Sequence, residues 1–186
     1  MDENLFNPKR KSYVAIGNIY FWTATINDWQ KLLKSIEFKT IILDSLSHLS
    51  SKGKIDVFAF VIMPNHIHLI WRINEMNGKE MPHTSFLKHT AHYFKKKLRH
   101  QNPSSLLNYM VDAENKDYEF WQRDSLAIKL YNSNIAYQKM DYLHNNPLQE
   151  HWQLAETPAD YLYSSASFYE NGNKYFSFLK DLRDEF

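Results

Sequence analysis

Two histidines one residue apart, His66 and His68, and far downstream Tyr142 with Asn146 four residues beyond it, are the side chains of this 186-residue sequence whose types and spacing bear most directly on chemistry. The histidines lie in the run from Val57 to Trp71, which reads as two β-strands joined by a tight turn at Pro64-Asn65. In the second strand the side-chain period of two puts both imidazoles on one face and Ile67 and Leu69 on the other. A rigid strand suits a metal site better than a mobile loop does. Any His-x-His pair can equally consist of hydrogen-bonded histidines that hold no ion.

Tyr142 and Asn146 belong to a helix expected from Asn134 to about Asn145, capped by Asn132 or Ser133 and ended by Pro147. Ala136, Met140 and Leu143 form its inward stripe. Ile135, Lys139, Tyr142 and Asn146 stack on the neighbouring face, so a phenol, an amide and an ammonium share one edge. Such a set could transesterify a phosphodiester. A phenol, with a pKa of about 10, is a poor nucleophile near neutral pH, but a divalent ion on a non-bridging phosphate oxygen withdraws charge and holds the phosphorus in line. Two imidazoles and an amide oxygen would fill three positions on Mg²⁺ or Mn²⁺ and leave others for water and phosphate. One phosphate ester replaces another, so no nucleotide cofactor is needed. Pattern alone does not select Tyr142 among twelve tyrosines.

The elements that must position these groups follow from periodicity. A first strand is expected in the second half of residues 13–25. A long helix over residues 29–50 follows, with Asn27 or Asp28 as N-cap, apolar positions Leu32, Leu33, Ile36, Ile41, Ile42, Leu46 and Leu49, and a break near Phe38. Residues 74–83 read as a surface loop. The next helix, capped by Thr84 or Ser85 and reaching about His100, carries Leu87, Ala91, Phe94 and Leu98 as a buried stripe, with Lys88, His92, Lys95 and Arg99 one residue on. Met81 to Val111 holds five lysines and arginines and no acidic residue. Its cationic ridge is either a solvated helix face or a track for a phosphate backbone. Residues 101–120 read as an acidic loop, and the stretch from Phe120 to Leu130 as the closing strand.

Composition sets the outer bounds. With 44% hydrophobic residues the chain can build one ordinary core, and 16% aromatic residues supply π-faces on which unpaired bases could stack. The net charge of +1 gives no general pull on nucleic acid. Absence of cysteine excludes disulfides, thiolate metal sites and cysteine nucleophiles, and fits a reducing cytoplasm. Four glycines, none in a phosphate-cradle pattern, argue against a nucleotide-binding loop. The polar first twelve residues, with Lys9, Arg10 and Lys11, read as a solvated lead-in rather than a secretion signal, and no segment reads as a membrane span.

The combination Met63-Pro-Asn-His-Ile-His-Leu-Ile70 followed by Tyr142-Leu-His-Asn-Asn-Pro147 resembles the single-tyrosine HUH transposases of bacterial insertion sequences, and most closely their REP-associated tyrosine transposase branch. The likeness runs from about Tyr20 to Tyr169 and includes Phe120-Trp121-Gln122 and Pro158-Ala-Asp-Tyr-Leu-Tyr-Ser-Ser165. It implies an α+β fold with a ferredoxin-like antiparallel sheet covered by helices, spanning residues 13–147, and a C-terminal helical extension, 148–186, packed on it. It further implies His66, His68 and Asn146 as ligands of Mg²⁺ or Mn²⁺, and Tyr142 as the nucleophile. The substrate would be single-stranded DNA cleaved beside a hairpin, leaving a 5′-phosphotyrosine and a free 3′-hydroxyl. Insertion-sequence members carry Gln where this chain has Asn146, whereas the REP-associated branch carries Asn, and the extension also favours that branch. DNA is expected along Lys88, His92, Lys95 and Arg99, with Arg123 and Lys139 as further phosphate contacts. Two other classes compete: a hairpin-binding module without catalysis, and a metal-dependent hydrolase of a small phosphoester. Both a monomer and a homodimer that exchanges tyrosine helices are compatible with the sequence.

Overall fold

Strand β1 (Ile19–Thr25) alternates between two apolar layers, and its partners are dictated by the same alternation. In this computed structural model, residues 13–186 are described apart from 115, 124 and the side chain of 116; Lys9, Arg10 and Lys11 lie outside the described residues. β1 is followed by α1 (Ile36–Ser51), β2 (Ile55–Ile62), β3 (His66–Ile73), α2 (Pro82–Gln101), a one-turn α3 (Pro103–Leu106), β4 (Met110–Ala113), β5 (Lys116–Tyr118), β6 (Leu126–Lys129), α4 (Ser133–Asn145) and α5 (Ala166–Asn171). The main sheet has the order β2-β3-β1-β6 with every pair antiparallel. With α1 linking β1 to β2 and α2 lying between β3 and β6, this is the ferredoxin-like arrangement. β4 and β5 form a separate two-stranded ribbon in the stretch read as loop.

The two faces of the sheet are covered differently. Trp22 and Trp71 point to one face, where Phe86 of α2 meets both rings at centroid distances of 6.1 and 6.2 Å, and α1 packs beside α2. Phe21, Ile70, Val61 and Met63 point to the other, against Ala136 and Leu143 of α4. β3 lies between β2 and β1, and all its residues but Arg72 are buried.

Expectations for the two long helices also need correction. Residues 27–34 form two 3-10 turns rather than the start of an α-helix; the break comes at Ser35, whose extended backbone makes it the N-cap of α1, and Asn27 and Asp28 cap nothing. α2 begins at Pro82, with Met81 as N-cap, because proline's fixed φ and missing N–H suit a helix's first turn; Thr84 and Ser85 are already inside it. Its inward stripe is Phe86, Thr90, Phe94 and Leu98, whereas Leu87 and Ala91 are only partly buried at its margin. Thr90 can occupy the core because its hydroxyl donates to Phe86 O at 2.9 Å and accepts the Trp121 indole N–H at 3.0 Å.

The extension, residues 148–186, is not mainly helical as expected: apart from the short α5 and two 3-10 turns it is irregular chain, much of it along the outer edge of β2, because its backbone groups pair with that strand instead of with one another. Ile62 N–H donates to Tyr163 O, Ser165 N–H to Phe60 O and Lys180 N–H to Val57 O, each at 2.9 Å, while the Tyr161 and Tyr169 hydroxyls donate to Ile62 O and Phe58 O at 2.8 Å. Unpaired edge groups are thereby satisfied within the chain. The end of the extension is held by charge: buried Asp56 accepts from Arg72 and from Lys180, each at 2.6 Å, and Arg72 also binds Glu185. Burial acts to raise the Asp56 pKa, but the hydrogen bonds from Lys180 and Arg72 outweigh it and hold the carboxyl below its usual value.

A carboxyl whose pKa is depressed by folding contributes stability above its unfolded pKa of about 3.9 and loses that contribution as pH falls through the depressed value. Asp56→Asn should therefore cost about 1–3 kcal/mol at pH 7, and the urea midpoints of variant and parent should converge on acidification to pH 2. Parallel midpoints across that range would show that Asp56 does not anchor the extension.

Candidate active site

His66 and His68 project from β3 onto the face covered by α4, with ring centroids 4.7 Å apart. Each is held by a neighbour chosen by the fold. The β1–β3 register pairs Thr23 with His68, and Thr23 Oγ1 lies 2.7 Å from His68 Nδ1. His66 Nδ1 lies 2.7 Å from Asn65 Oδ1, while Asn65 Nδ2 donates to Trp29 O at 3.5 Å. An amide that donates through Nδ2 presents an oxygen to His66, so His66 Nδ1 carries the proton and Nε2 keeps its lone pair. The Thr23 hydroxyl can accept from His68 Nδ1–H in the same way.

Both rings are uncharged at neutral pH. Burial pushes His66 down to about 4, only partly offset by the nearby Asn146 side chain. Burial, then the charges of His66 and Lys139, push His68 down to about 3. Neutral, oriented imidazoles are the form that binds metal ions.

α4 brings the other half. Asn132 caps it, its side chain accepting the Ile135 N–H at 2.9 Å, and Pro147 follows its C-terminus. The Tyr142 ring, 52% exposed, stands 5.5 Å from His68 and 6.0 Å from Phe21, and Phe21 in turn stacks on His68 at 5.0 Å. Lys139, one turn earlier, sets Nζ 5.3 Å from the Phe21 ring and 5.7 Å from that of Tyr142. Asn146 is buried, and its Oδ1 has no hydrogen-bond partner among the described residues. His66, His68, Tyr142 and Asn146 line one cavity of about 640 Å³. The four side chains singled out in the sequence are thus brought together.

The donor set can be tested against the implied ion. Among the described residues no group of three or more His, Asp or Glu side chains is placed to hold a metal. Two neutral imidazoles and a buried amide oxygen lacking any other partner nevertheless fit a divalent cation that keeps several waters, and an orphaned buried acceptor is otherwise costly.

α4 is also anchored from behind. Buried His144 has Nε2 2.8 Å from Ser165 Oγ, which accepts the Phe60 N–H at 2.9 Å, and its ring faces Tyr169 at 5.6 Å. The extension thus fixes the turn of helix that bears Tyr142.

The cationic residues are divided. Lys139 is on the histidine side of the sheet, beside Phe21 and Tyr142. Lys88, His92, Lys95 and Arg99 lie on α2, across the sheet from the histidines, with Lys88 paired to Glu80 and Lys95 3.9 Å from Asp117. Arg123 binds Glu119 at 3.2 Å. Sequence reasoning passed over Thr23, Asn65, Trp29, Lys31 and Trp152, which also line the cavity. Asn65, beside His66, was visible as a turn residue; the others reach the site only through strand register and loop path.

No protein-family profile matches this sequence, and no curated protein matches it. Its fold is similar to a solved structure described as the REP-associated tyrosine transposase bound to a REP hairpin, with a TM-score of 0.60 and 16% identity over 94% of this chain and 93% of that one. That likeness establishes the shared architecture, a four-stranded antiparallel sheet with helices.

If Thr23 and Asn65 orient the rings, nitrogen NMR at pH 7 should find His66 and His68 neutral, protonated at Nδ1 and bare at Nε2. Thr23→Val should release the tautomer of His68 alone. Finding Nε2 protonated on both rings of the parent protein would remove them as ready ligands.

Proposed function

We propose that this protein is a metal-dependent single-stranded DNA endonuclease and strand transferase of the single-tyrosine HUH kind, acting at hairpin-associated sites through a 5′-phosphotyrosine linkage. One observation carries the reading: Tyr142, in the last turn of α4, and Asn146, the residue that caps its C-terminus, share a cavity with the oriented pair His66 and His68. The likeness to a transposase whose described structure holds a REP hairpin supports the choice of DNA.

Tyr142 Oη attacks the phosphorus in line, forming a P–O bond as the bond to the 3′-oxygen breaks. The phenol proton passes to solvent, which reaches the half-exposed ring, and the departing 3′-oxygen takes up a proton from water. The reverse step, attack of a 3′-hydroxyl on the phosphotyrosine, rejoins strands and frees Tyr142. His66, His68 and Asn146 would hold Mg²⁺ or Mn²⁺, which when bound draws charge from a non-bridging phosphate oxygen. Lys139 sets a positive charge beside the phenol as negative charge develops on it. Phe21, packed against both His68 and Tyr142, keeps the phenol from swinging away from the histidines.

The same reading makes the α2 residues Lys88, His92, Lys95 and Arg99, together with Arg123, contacts for DNA flanking the cut, reached around the sheet. The reading is the same for a monomer, in which α4 serves its own sheet, and for a homodimer that exchanges tyrosine helices, and it takes the work to be done in the cytoplasm. No described helix is long and apolar enough to cross a membrane.

Incubation with hairpin-bearing single-stranded oligonucleotides and Mn²⁺ should give a protein–DNA band that survives denaturation. Tyr142→Phe and His66→Ala should lose it while still retaining DNA. An undiminished reaction in Tyr142→Phe would refute the nucleophile, and retention of DNA by the parent protein without any covalent band would mark a binding module.

A further inference from the structure

The end of the cavity away from Tyr142 is aromatic, and no step above uses it. Three of the five tryptophans, Trp22, Trp71 and Trp121, are buried in the core beneath α2. The other two, Trp29 and Trp152, line the cavity, and Trp29 is 60% exposed. An indole left in water on the rim of a cleft is not serving the core. Trp152 lies 6.1 Å from the His66 ring, with Lys31 Nζ 5.7 Å above its face. Among the described residues Lys31 has no carboxylate partner.

The backbone under Trp29 is unusual in the same direction. Asp28 and Trp29 have φ of 51° and 57°, consecutive left-handed conformations that residues with side chains rarely adopt. They are held by bonds to the turn beside the histidines: Ile26 N–H donates to Asn65 O at 2.8 Å, Leu33 N–H to Pro64 O at 2.9 Å, and Asn65 Nδ2 to Trp29 O. The amide that orients His66 therefore also fixes the platform carrying Trp29.

Order along the cavity supplies the rest. Tyr142 is beside His68, Trp152 beside His66, and Trp29 beyond, at Asn65. In an in-line displacement the attacking and leaving oxygens lie on opposite sides of the phosphorus. With Tyr142 at one end, the leaving 3′-oxygen and its nucleotide point to the tryptophan end. We infer that Trp29 and Trp152 form a subsite for an unpaired nucleobase, that of the nucleotide on the 5′ side of the cut, with Lys31 contacting its phosphate. Stacking accepts any base, since each has a π-face. The identity of the nucleotide rests on the strand-transfer reading; the base subsite does not.

The test uses the full chain carrying Tyr142→Phe, so that no cleavage is required, titrated with short oligothymidylate while tryptophan emission is followed. With Trp22, Trp71 and Trp121 buried in the core, quenching should come from Trp29 and Trp152, and mostly from the more exposed Trp29. Trp29→Ala should abolish most of it and weaken binding roughly 5- to 100-fold, whereas Trp29→Phe should retain most of the affinity. Replacing a single thymidine by an abasic residue should weaken the parent more than Trp29→Ala. Equal affinity and quenching in parent and Trp29→Ala would overturn the subsite. Quenching intact in a protein that forms no covalent adduct supports the subsite and counts only against strand transfer. Adduct formation with no effect of Trp29→Ala on binding overturns the subsite alone.

Discussion

The pairing of β1 with β3 is the constraint from which the candidate site follows. Its register sets Thr23 against His68 and Thr25 against His66, so the side-chain alternation of two strands fixes simultaneously which face carries the imidazoles and what holds one of them. A slip of one residue would turn both histidines into the layer occupied by Trp22 and Trp71. The aromatic core under α2 resists such a slip. Trp22, Trp71 and Phe86 fit one another only in the present phase, so the far side of the sheet specifies the geometry of the near side.

The near side in turn depends on α4, a helix whose apolar stripe is narrow. Ala136 and Leu143 are fully buried, yet the helix also carries an exposed tyrosine and ends on a buried amide, Asn146. Docking so modest an apolar surface is supplemented by His144, Ser165 and Tyr169. Depressed imidazole pKa values and an unpartnered Asn146 Oδ1 are local costs that sequence optimised for stability alone would avoid. Their convergence with an exposed phenol in one cavity sets this region apart from the rest of the molecule.

Much of this was legible in the sequence because it is local. The β2–β3 hairpin, the facing of His66 and His68, and the helix ending at Pro147 each depend on periods of two or 3.6 and on one proline. The ferredoxin-like order and the partnership of Tyr142 with the histidines came from resemblance, since strand order is a property of distant contacts. The misread elements share a cause. Thr90 lies in the core because Trp121, 31 positions on, needs an acceptor, and no pattern within α2 reveals that. Leu32 and Leu33 extend the helical spacing of the apolar residues in α1 backwards, but residues 27–34 are bent into 3-10 turns by bonds to the β2–β3 turn. Thr23, Asn65 and Trp29 gain their places through the same long-range bonds.

The strip of chain along β2 has one more consequence. Because residues 161–169 both cover the edge of β2 and brace α4, a nick in the preceding exposed stretch would leave the sheet and its tryptophan layer intact while slackening the helix that bears the phenol. The span over which a molecule stays folded and the span over which its tyrosine stays aligned are then different clocks, and wear in the tail stops the second first.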